Sequence, residues 1–313
     1  MTRYSLVIPV YLNEGSIPEL LAAMTELNRG LDGRLEVIFV VDGSPDRSYA
    51  LLAEGLAKAP FAARLLVLAR NFGSFAAIRA GLAVARGPYF AVMAADLQEP
   101  PELVGSFFST LENEPVDVVI GARNARSDPM LSRLASKTFW AIYRRMVQPD
   151  MPPGGFDIFG CNAAFRDQLL QMGERNSSLV GLVVWMGFRR KLVTYDRRER
   201  RHGRSAWTLR RKLKYMMDSI YAFSDLPIRL LVTFGAVGLC FAVGLGSLAL
   251  IVRLLGLIPV PGYTMTLLVL LFFAALNSFG LGVIGAYVWR TFENTKARPH
   301  AIVLADRSFG GEH

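Results

Sequence analysis

The sequence predicts an α/β protein built on a mostly parallel sheet, followed by an amphipathic helix and two transmembrane helices. Three observations support this. Short apolar runs alternate with amphipathic segments over residues 4–121, the pattern of a parallel sheet covered by helices on both faces. Residues 189–214 hold twelve Lys or Arg against two acids. Two uncharged segments follow, each long enough to cross about 30 Å of hydrocarbon.

The first part of the chain alternates predicted strands with predicted helices. Each strand is a short apolar run, and each helix carries apolar residues at helical spacing. The predicted strands are 4–10, 35–41, 64–69, 89–95 and 116–120, and the predicted helices are 16–29, 46–58, 74–85 and 101–112. An amphipathic pattern over 131–147 and a loop rich in Pro and Gly, ending at Phe156-Asp157, come next.

Aromatic and Met residues lie between the basic residues of 189–214 and beyond, which is typical of a helix on an anionic membrane surface. The uncharged segments Leu230–Val252 and Tyr263–Trp289 then predict membrane spans. Glycines inside both spans permit close helix contact and self-association into a homo-oligomer. The tail over 301–313 has few apolar groups and is expected to be loosely ordered.

These features divide the chain into five predicted parts. Basic residues flank the spans on the side of the large domain, so the positive-inside rule places that domain and both termini in the cytoplasm. The expected location is the inner membrane, with a multi-pass topology. The parts are a catalytic domain over 1–205, an amphipathic helix over 206–227, transmembrane helices over 228–254 and 263–290, and a tail over 291–313.

The formal charge of +9 and the pI near 9.8 fit nucleic acid, an anionic membrane or phosphate-rich substrates as partners. A nucleic-acid binder would not need two membrane spans, so no nucleic-acid partner is expected. Three histidines and two distant cysteines predict neither a histidine-ligated metal centre nor a disulfide framework.

The stretch YFAVMAADLQEPPE at 89–102 is the strongest candidate site. Asp96 and Gln98 follow a buried strand, and Pro100-Pro101 permit a helix to begin. Ligands of open α/β sheets bind where strands end. A carboxylate and a carboxamide at that edge suit a hard divalent cation that holds phosphate oxygens. The alternative is that Asp96 only caps the next helix.

Six motifs carry a resemblance to a known family. They are SLVIPVYLNEG at 5–15, VDGSPDRS at 41–48, ARNFG at 69–73, AADLQEPPE at 94–102, GGFD at 154–157 and RRHGRSAW at 200–207. In this order, and with the two spans, the chain resembles the family-2 glycosyltransferases of the polyprenyl-phosphate branch, which includes dolichol-phosphate mannose synthase and bacterial polyprenyl-phosphate glucosyl- and aminoarabinosyl-transferases. The resemblance covers essentially the whole chain.

The resemblance implies a GT-A (Rossmann-like) domain, a nucleotide-sugar donor, a polyprenyl-phosphate acceptor and a Mg²⁺ or Mn²⁺ cofactor. It also implies that residues of the first motif contact the nucleobase and ribose, that two residues of the fourth hold the metal on the diphosphate, and that one aspartate of the GGFD loop is the candidate base near the acceptor phosphate. These residues are, in that order, Pro9, Tyr11 and Glu14; Asp96 and Gln98; and Asp157.

An acceptor monophosphate, with a second pKa of about 6, is already mostly dianionic at neutral pH. Asp157 would then orient the acceptor or stabilise positive charge at the anomeric carbon, unless it only caps its loop. Asp42 ends the second strand and can accept hydrogen bonds from a uracil or guanine N–H. Arg70 follows the third strand and can offer a fork to phosphate or sugar, or else is a plain surface arginine.

Four residues of the last motif precede the amphipathic helix and are placed to hold a lipid phosphate and the nucleotide diphosphate. The alternative for such a run is a solvated basic face. These residues are Arg200, Arg201, Arg204 and Ser205.

The chain departs from the family pattern at four positions. Ala94 stands where the family has the first aspartate of D-x-D, and Val41 stands where it has the first of a pair of aspartates. Ala206 and Ser74 replace frequent basic residues. With Asp96 and Gln98 retained, we expect a metal-assisted enzyme whose metal dependence is weaker than usual.

The resulting hypothesis is an inverting transferase that moves a hexose from UDP-glucose, or less favourably a GDP-hexose, to polyprenyl (undecaprenyl) phosphate on the cytoplasmic leaflet. One alternative is a processive glycosyltransferase, which would need more spans. The other is a metal-deficient, non-catalytic membrane scaffold that binds nucleotide sugar, and Ala94 is the residue that favours it.

Overall fold

A mixed eight-stranded sheet forms the centre of the protein. The computed structural model describes residues 2–123, 141, 143–145, 147–152, 155–174, 177–198, 209–255 and 262–310. The strands are β1 Tyr4–Val10, β2 Leu35–Val41, β3 Ala62–Leu68, β4 Tyr89–Val92, β5 Val118–Arg123, β6 Phe159–Asn162, β7 Arg190–Tyr195 and β8 Val303–Phe309. They pair in the order β7-β5-β6-β4-β1-β2-β3-β8.

Helices connect the strands and then leave the sheet. Those packed on the sheet are α1 Ile17–Gly30, α2 Ser48–Leu56, α3 Ser74–Val84, α4 Pro101–Asn113, α5 Ala163–Gln171 and α6 Leu179–Trp185. The later helices are α7 Leu209–Phe223, α8 Leu226–Leu254 and α9 Tyr263–Thr295.

Six of the strands run parallel to one another, and β6 and β8 run against them. β1 pairs in parallel with β2 and with β4, and β2 pairs in parallel with β3. β6 lies antiparallel between β4 and β5, and β7 is parallel to β5. The carboxyl ends of the parallel strands and the amino end of β6 therefore meet at one edge of the sheet.

Alternating apolar residues of the inner strands divide the core into two layers. Val37, Phe39 and Val41 of β2 pack on the face covered by α1, α2 and α4. Ile38 and Val40 pack on the opposite face with α3, α5 and α6. Because a strand buried on both faces cannot be amphipathic, β2 is apolar at nearly every position, which is what the sequence pattern of parallel sheets predicts.

The strands and helices predicted over 4–121 are present, with bounds that differ by a few residues. The pattern predicted for 131–147 lies mostly outside the described residues. In the basic segment 189–214, residues 190–195 form β7, a strand that the sequence did not predict, because β5 offers them main-chain pairing. The helix predicted over 206–227 is present in the described residues as Leu209–Phe223.

The expectation of a loosely ordered tail is wrong for Val303–Phe309, which form β8. β8 pairs antiparallel with β3 at the edge of the sheet. The Arg64 guanidinium donates to both Asp306 carboxylate oxygens, at 2.8 and 2.6 Å. Main-chain hydrogen bonds and this ion pair order the strand, and neither depends on the apolar content from which disorder was expected.

α8 and α9 are long and apolar enough to cross a membrane. The spans are Leu226–Leu248 and Val269–Thr295, with mean hydropathy of 2.1 and 2.0. The first is 0% buried within the protein and the second 11%, so their apolar side chains face outward. Such large exposed apolar surfaces are characteristic of a membrane or interaction surface and not of a soluble core.

Two glycines meet the partner helix of this hairpin. A Cβ on Gly280 would lie 3.2 Å from Leu231 Cδ1, and one on Gly238 would lie 3.7 Å from Phe273 Cε1. The other span glycines have open space around them within this chain (Gly235, Gly244, Gly246, Gly282 and Gly285). Self-association through them stays a prediction.

Two contacts fix α7 between the sheet domain and the hairpin. The Phe223 ring lies against Gly181 of α6, where a Cβ would be 2.2 Å from the ring. The Arg290 guanidinium of α9 donates to Asp218 Oδ1 at 2.6 Å and lies 4.7 Å from the Tyr221 ring centroid. The sheet domain is therefore held close to the base of the hairpin.

The first prediction concerns Gly43, which turns the chain after β2. Its φ is +57°, and an added Cβ would lie 2.4 Å from the Arg70 carbonyl carbon and 2.5 Å from Asn71 N. We expect Gly43→Ala to lower the free energy of unfolding by more than about 1–2 kcal/mol, because it adds a backbone clash to the cost of a left-handed conformation. The readout is the melting temperature of the purified protein.

Two other glycines separate these effects. Gly33 also has positive φ, +70°, but nothing lies within 4 Å of its Cβ position, whereas Gly30 has open space and ordinary φ. The expected order of melting temperatures is Gly30→Ala highest, Gly33→Ala intermediate and Gly43→Ala lowest. Equal values for the Gly33 and Gly43 variants would contradict the clash.

Candidate active site

The edge where the strand ends meet collects the predicted site residues from separate parts of the chain. Asp42 follows β2 and Arg70 follows β3. Asp96 lies four positions after the end of β4. Because β6 runs in the opposite direction, Asp157, two residues before it, lies at this same edge. The site is therefore a product of the sheet topology.

The loops after β1 and β2 are tied together by the Asp46 carboxylate. It accepts hydrogen bonds from Ser44 Oγ at 2.6 Å, from Ser48 Oγ at 2.9 Å and from the Glu14 backbone N–H at 3.0 Å. In return, Glu14 Oε2 accepts from the Arg47 backbone N–H at 3.0 Å. Burial by itself would raise the pKa of Asp46, but these hydrogen bonds outweigh it and lower that pKa.

Pro9 lies at the end of β1, and Tyr11 and Glu14 lie in the loop beyond it. The Tyr11 ring is half-buried and the Glu14 side chain is exposed. The backbone N–H of Tyr11 donates to Asn13 Oδ1 at 3.0 Å. The residues predicted to contact the nucleotide therefore lie at the end of β1 and on a loop that is hydrogen-bonded to its neighbours, and the Glu14 side chain is exposed.

Asp42 is nearly buried and holds the loop after β3. Its two oxygens accept from the backbone N–H groups of Phe72 and Gly73, at 2.7 and 2.8 Å. Its role toward a nucleobase stays a prediction. Arg70 is exposed, with its guanidinium 4.1 Å from the Phe72 ring centroid.

Asp96 and Gln98 flank a strained turn. Leu97 has φ of +53°, a left-handed conformation that is uncommon for a residue with a side chain. The Gln98 backbone N–H donates to Asp96 Oδ1 at 3.3 Å. Strained backbone of this kind is concentrated at binding and catalytic sites, where surrounding contacts hold it in place.

The segment after β7 holds the Gln98 side chain. Arg197 Nη2 donates to Gln98 Oε1 at 2.6 Å, and Gln98 Nε2 donates to the Arg198 carbonyl at 3.4 Å. The Arg198 backbone N–H donates to the Gln98 carbonyl at 2.8 Å. Arg197 was not predicted as a site residue, because β7 was not predicted and nothing in the sequence indicated that Arg197 follows the end of a strand.

Glu99 is the most deeply buried carboxylate of the site, with 1% of its surface exposed. Neither of its oxygens has a hydrogen-bond partner within the described part of the chain, and Arg197 Nε lies 3.7 Å from Oε1. Burial, and after it the Asp96 carboxylate, raises the pKa of Glu99, while Arg197 and Arg123 oppose the shift. The signal that could have identified it was an acid between Gln98 and two prolines.

Asp157 forms an ion pair with Arg123, the last residue of β5. The Asp157 side chain is 47% exposed and that of Arg123 is 18% exposed. Tyr195 lies nearby, and burial, followed by the charge of Glu99, raises the pKa of its hydroxyl. The Arg123 guanidinium therefore holds the Asp157 carboxylate at this edge of the sheet, where part of it remains exposed.

The predicted divalent cation would bind at this edge of the sheet. Within the described ranges, no group of three His, Cys, Asp or Glu side chains could hold a metal by itself. Mg²⁺ is nevertheless commonly held by one or two carboxylates and the substrate's phosphates. Asp96, with the Glu99 oxygens that accept no hydrogen bond within the described residues beside it, fits a cation bound in that way.

The predicted phosphate-binding residues Arg200, Arg201, Arg204 and Ser205 lie outside the described residues. The described segment that leads to them, Asp196–Arg198, already contacts the Asp96–Gln98 turn through its arginines.

Known proteins are similar to this chain over nearly its whole length. The family model described as "Glycosyl transferase family 2" matches residues 5–173. The uncharacterized glycosyltransferase sll0501 of Synechocystis sp. is 30% identical, over 96% of this chain and 94% of that protein. The putative glycosyltransferase CsbB of Bacillus subtilis is 32% identical, over 96% and 90%. The undecaprenyl-phosphate 4-deoxy-4-formamido-L-arabinose transferase of Salmonella choleraesuis is 29% identical, over 96% and 92%.

Two solved structures share the fold. Mannosyl-3-phosphoglycerate synthase from Rubrobacter xylanophilus has a TM-score of 0.52 and 17% identity, covering 75% of each chain. Glucosyl-3-phosphoglycerate synthase from Mycobacterium tuberculosis, solved with Mn²⁺, UDP and glucosyl-3-phosphoglycerate, has a TM-score of 0.51 and 16% identity, covering 70% of this chain and 78% of that one. The predicted fold, a mostly parallel α/β sheet of the GT-A type, is confirmed.

The second prediction concerns the pH dependence of stability. Because folding lowers the pKa of Asp46, its stabilising effect is present above the ordinary aspartate pKa of about 3.9 and is lost as the pH falls through the lower folded value. We expect Asp46→Asn to lower the melting temperature at pH 7 and to differ less from the unmodified protein toward pH 3.

The control is Glu26→Gln, whose carboxylate is 67% exposed and pairs only with Arg29 on the same helix. Its melting temperature should follow the unmodified protein at every pH. An Asp46→Asn deficit that stays constant from pH 7 to pH 3 would contradict the assignment.

Proposed function

The chain belongs to glycosyltransferase family 2, and we propose that it is an inverting transferase that moves a hexose from a nucleotide sugar to the phosphate of a membrane polyprenol. UDP-glucose is the first donor to test, and undecaprenyl phosphate is the first acceptor. One observation carries the proposal: the Asp96 turn and the Asp157–Arg123 pair lie at one sheet edge, in a domain that α7 holds against two membrane-type helices.

The names of relatives support the substrates. The Salmonella relative, similar over 96% of this chain, is named as an undecaprenyl-phosphate transferase. The Mycobacterium tuberculosis structure with the same fold was solved with UDP and Mn²⁺. A nucleotide bound at the carboxyl edge would meet a lipid acceptor at the base of the hairpin. A water-soluble donor and a membrane-bound acceptor would then be held close together on one protein.

In the proposed reaction an oxygen of the polyprenyl phosphate attacks the anomeric carbon of the donor sugar. The bond between that carbon and the β-phosphate oxygen breaks in line, configuration at the carbon inverts, and the nucleoside diphosphate leaves with the electron pair. Asp157, which pairs with Arg123, would orient the acceptor or stabilise positive charge at the anomeric carbon. No strong base is needed, because the acceptor phosphate is already mostly dianionic.

Asp96 would hold a Mg²⁺ or Mn²⁺ ion on the donor diphosphate. Gln98 is the predicted second ligand, but its Oε1 accepts from Arg197 Nη2 at 2.6 Å, so it would bind the ion only by giving up that hydrogen bond. When bound, such an ion supplies positive charge opposite the departing diphosphate. The loops held by Asp46 and Asp42 would position the nucleobase and ribose, so the donor would be fixed at both its ends.

We also propose a cytoplasmic orientation at the inner membrane. β8 returns to pair with β3 after α9, which supports two crossings with the sheet domain and the tail on the same side. Arg290 lies in the last turns of the second span and Lys296 and Arg298 follow it, and the positive-inside rule assigns that side to the cytoplasm.

The third prediction tests the reaction. Membranes containing the protein are supplied with labelled UDP-glucose and undecaprenyl phosphate, in Mg²⁺, Mn²⁺ or chelator. We expect label in an organic-extractable product that mild acid cleaves. Asp96→Ala should reduce transfer by at least about 100-fold, and Asp157→Asn should lower kcat, because each removes charge that faces the transition state.

Glu102→Gln is the matched control, since Glu102 is an acid of the same motif that is 75% exposed and pairs with Arg198. It should transfer at the unmodified rate. If UDP-glucose gives no product, a panel of UDP- and GDP-sugars replaces it. Donor binding without transfer across that panel would favour the non-catalytic scaffold, which Ala94 already suggests, and would overturn the transferase.

A further inference from the structure

Arg197 is the cation that contacts the Asp96–Glu99 turn most directly. Its Nη2 donates to Gln98 Oε1 at 2.6 Å, and its Nε lies 3.7 Å from Glu99 Oε1, an ion-pair distance too long for a hydrogen bond. The next residue donates its backbone N–H to the Gln98 carbonyl. Both the side chain and its backbone segment are thus held against the turn.

Glu99 explains why an arginine is held there. Its carboxylate is 1% exposed, and neither oxygen has a hydrogen-bond partner in the part of the chain that the structure describes. A buried carboxylate with no hydrogen bonds is costly unless an opposite charge lies beside it. Arg197 supplies that charge while its own side chain remains 31% exposed, so part of it stays accessible to a ligand.

Within the described residues, Arg197 keeps N–H donors that a ligand could use. Among the described residues that line it, Arg123 is already paired with Asp157. Arg197 has five N–H donors and, within the described residues, donates one of them, to Gln98. Its remaining donors form the planar fork that matches phosphate oxygens.

We propose that Arg197 binds the diphosphate of the donor and that Gln98 and Glu99 hold it ready to do so. This inference rests on the proposed transferase function and adds a binding residue to it. It also accounts for Ala94: a site that lacks one metal-binding carboxylate keeps a built-in guanidinium that supplies part of the positive charge opposite the diphosphate. The protein should then bind a nucleoside diphosphate measurably in the absence of divalent metal.

The fourth prediction is a binding measurement on the purified full-length protein in lipid nanodiscs. UDP and uridine are titrated calorimetrically in excess chelator, with GDP and guanosine as a second pair. Arg197→Gln should weaken UDP binding by at least about tenfold, the loss expected for a hydrogen-bonded charge pair, and should leave uridine binding unchanged. Arg197→Lys should show a smaller loss, because it keeps the charge without the fork.

Arg198→Gln is the matched control. Its side chain is 53% exposed and contacts only the exposed Glu102, and only its backbone takes part in the turn. It should bind UDP as the unmodified protein does. Glu99→Gln should weaken UDP binding less than Arg197→Gln, because the arginine keeps its bond to Gln98.

Unchanged UDP affinity in Arg197→Gln, or no UDP or GDP binding by the unmodified protein in chelator, would overturn the inference. An equal loss of uridine affinity would also overturn it, because it would show that Arg197 has only a structural role. A loss of affinity confined to a short prenyl phosphate would instead assign Arg197 to the acceptor. The outcome is separable from the reaction itself, since UDP binding that depends on Arg197 but gives no transfer would contradict only the transferase.

Discussion

The antiparallel pairing of β6 between β4 and β5 is the constraint on which the site depends. Parallel strands bring their carboxyl ends to one edge, and this strand alone, among those near the site, brings its amino end there. Asp157 is thereby placed at the edge that carries the Asp96 turn, although 60 positions of sequence separate them. The same pairing places Arg123, at the end of β5, where it reaches Asp157.

The electrostatics of this edge follow from a balance of fixed charges. Three carboxylates and two guanidiniums approach one another there (Asp96, Glu99, Asp157, Arg123 and Arg197). A donor diphosphate adds more negative charge, so binding requires cations in place before the ligand arrives. Preorganised charge costs little reorganisation when charge develops on a leaving group, which is the general basis of electrostatic catalysis. In the proposed function, the membrane hairpin would bring these charges to an acceptor that diffuses in two dimensions.

Much of the fold was predictable from local pattern, whereas the site was predictable only in part. Apolar runs identified β1 to β5, because buried parallel strands are apolar throughout. Asp96, Gln98 and Asp157 were predicted because they follow or precede such runs in recognisable motifs, and their roles stay predictions. Arg123, Glu99 and Arg197 were not predicted, since their contacts arise between segments distant in sequence. β8 was missed because an exposed edge strand is ordered by main-chain bonds and by Arg64, which leave no hydropathy signal.

The measurement that tests the central claim most directly is a structure of the protein in lipid with UDP and Mg²⁺ bound. The account predicts the uracil and ribose against the loops after β1 and β2, with the diphosphate between Asp96 and the Arg197 guanidinium, within hydrogen-bonding distance of the latter. A diphosphate bound away from the carboxyl edge, or one that leaves Arg197 on Gln98 without contacting it, would contradict the account.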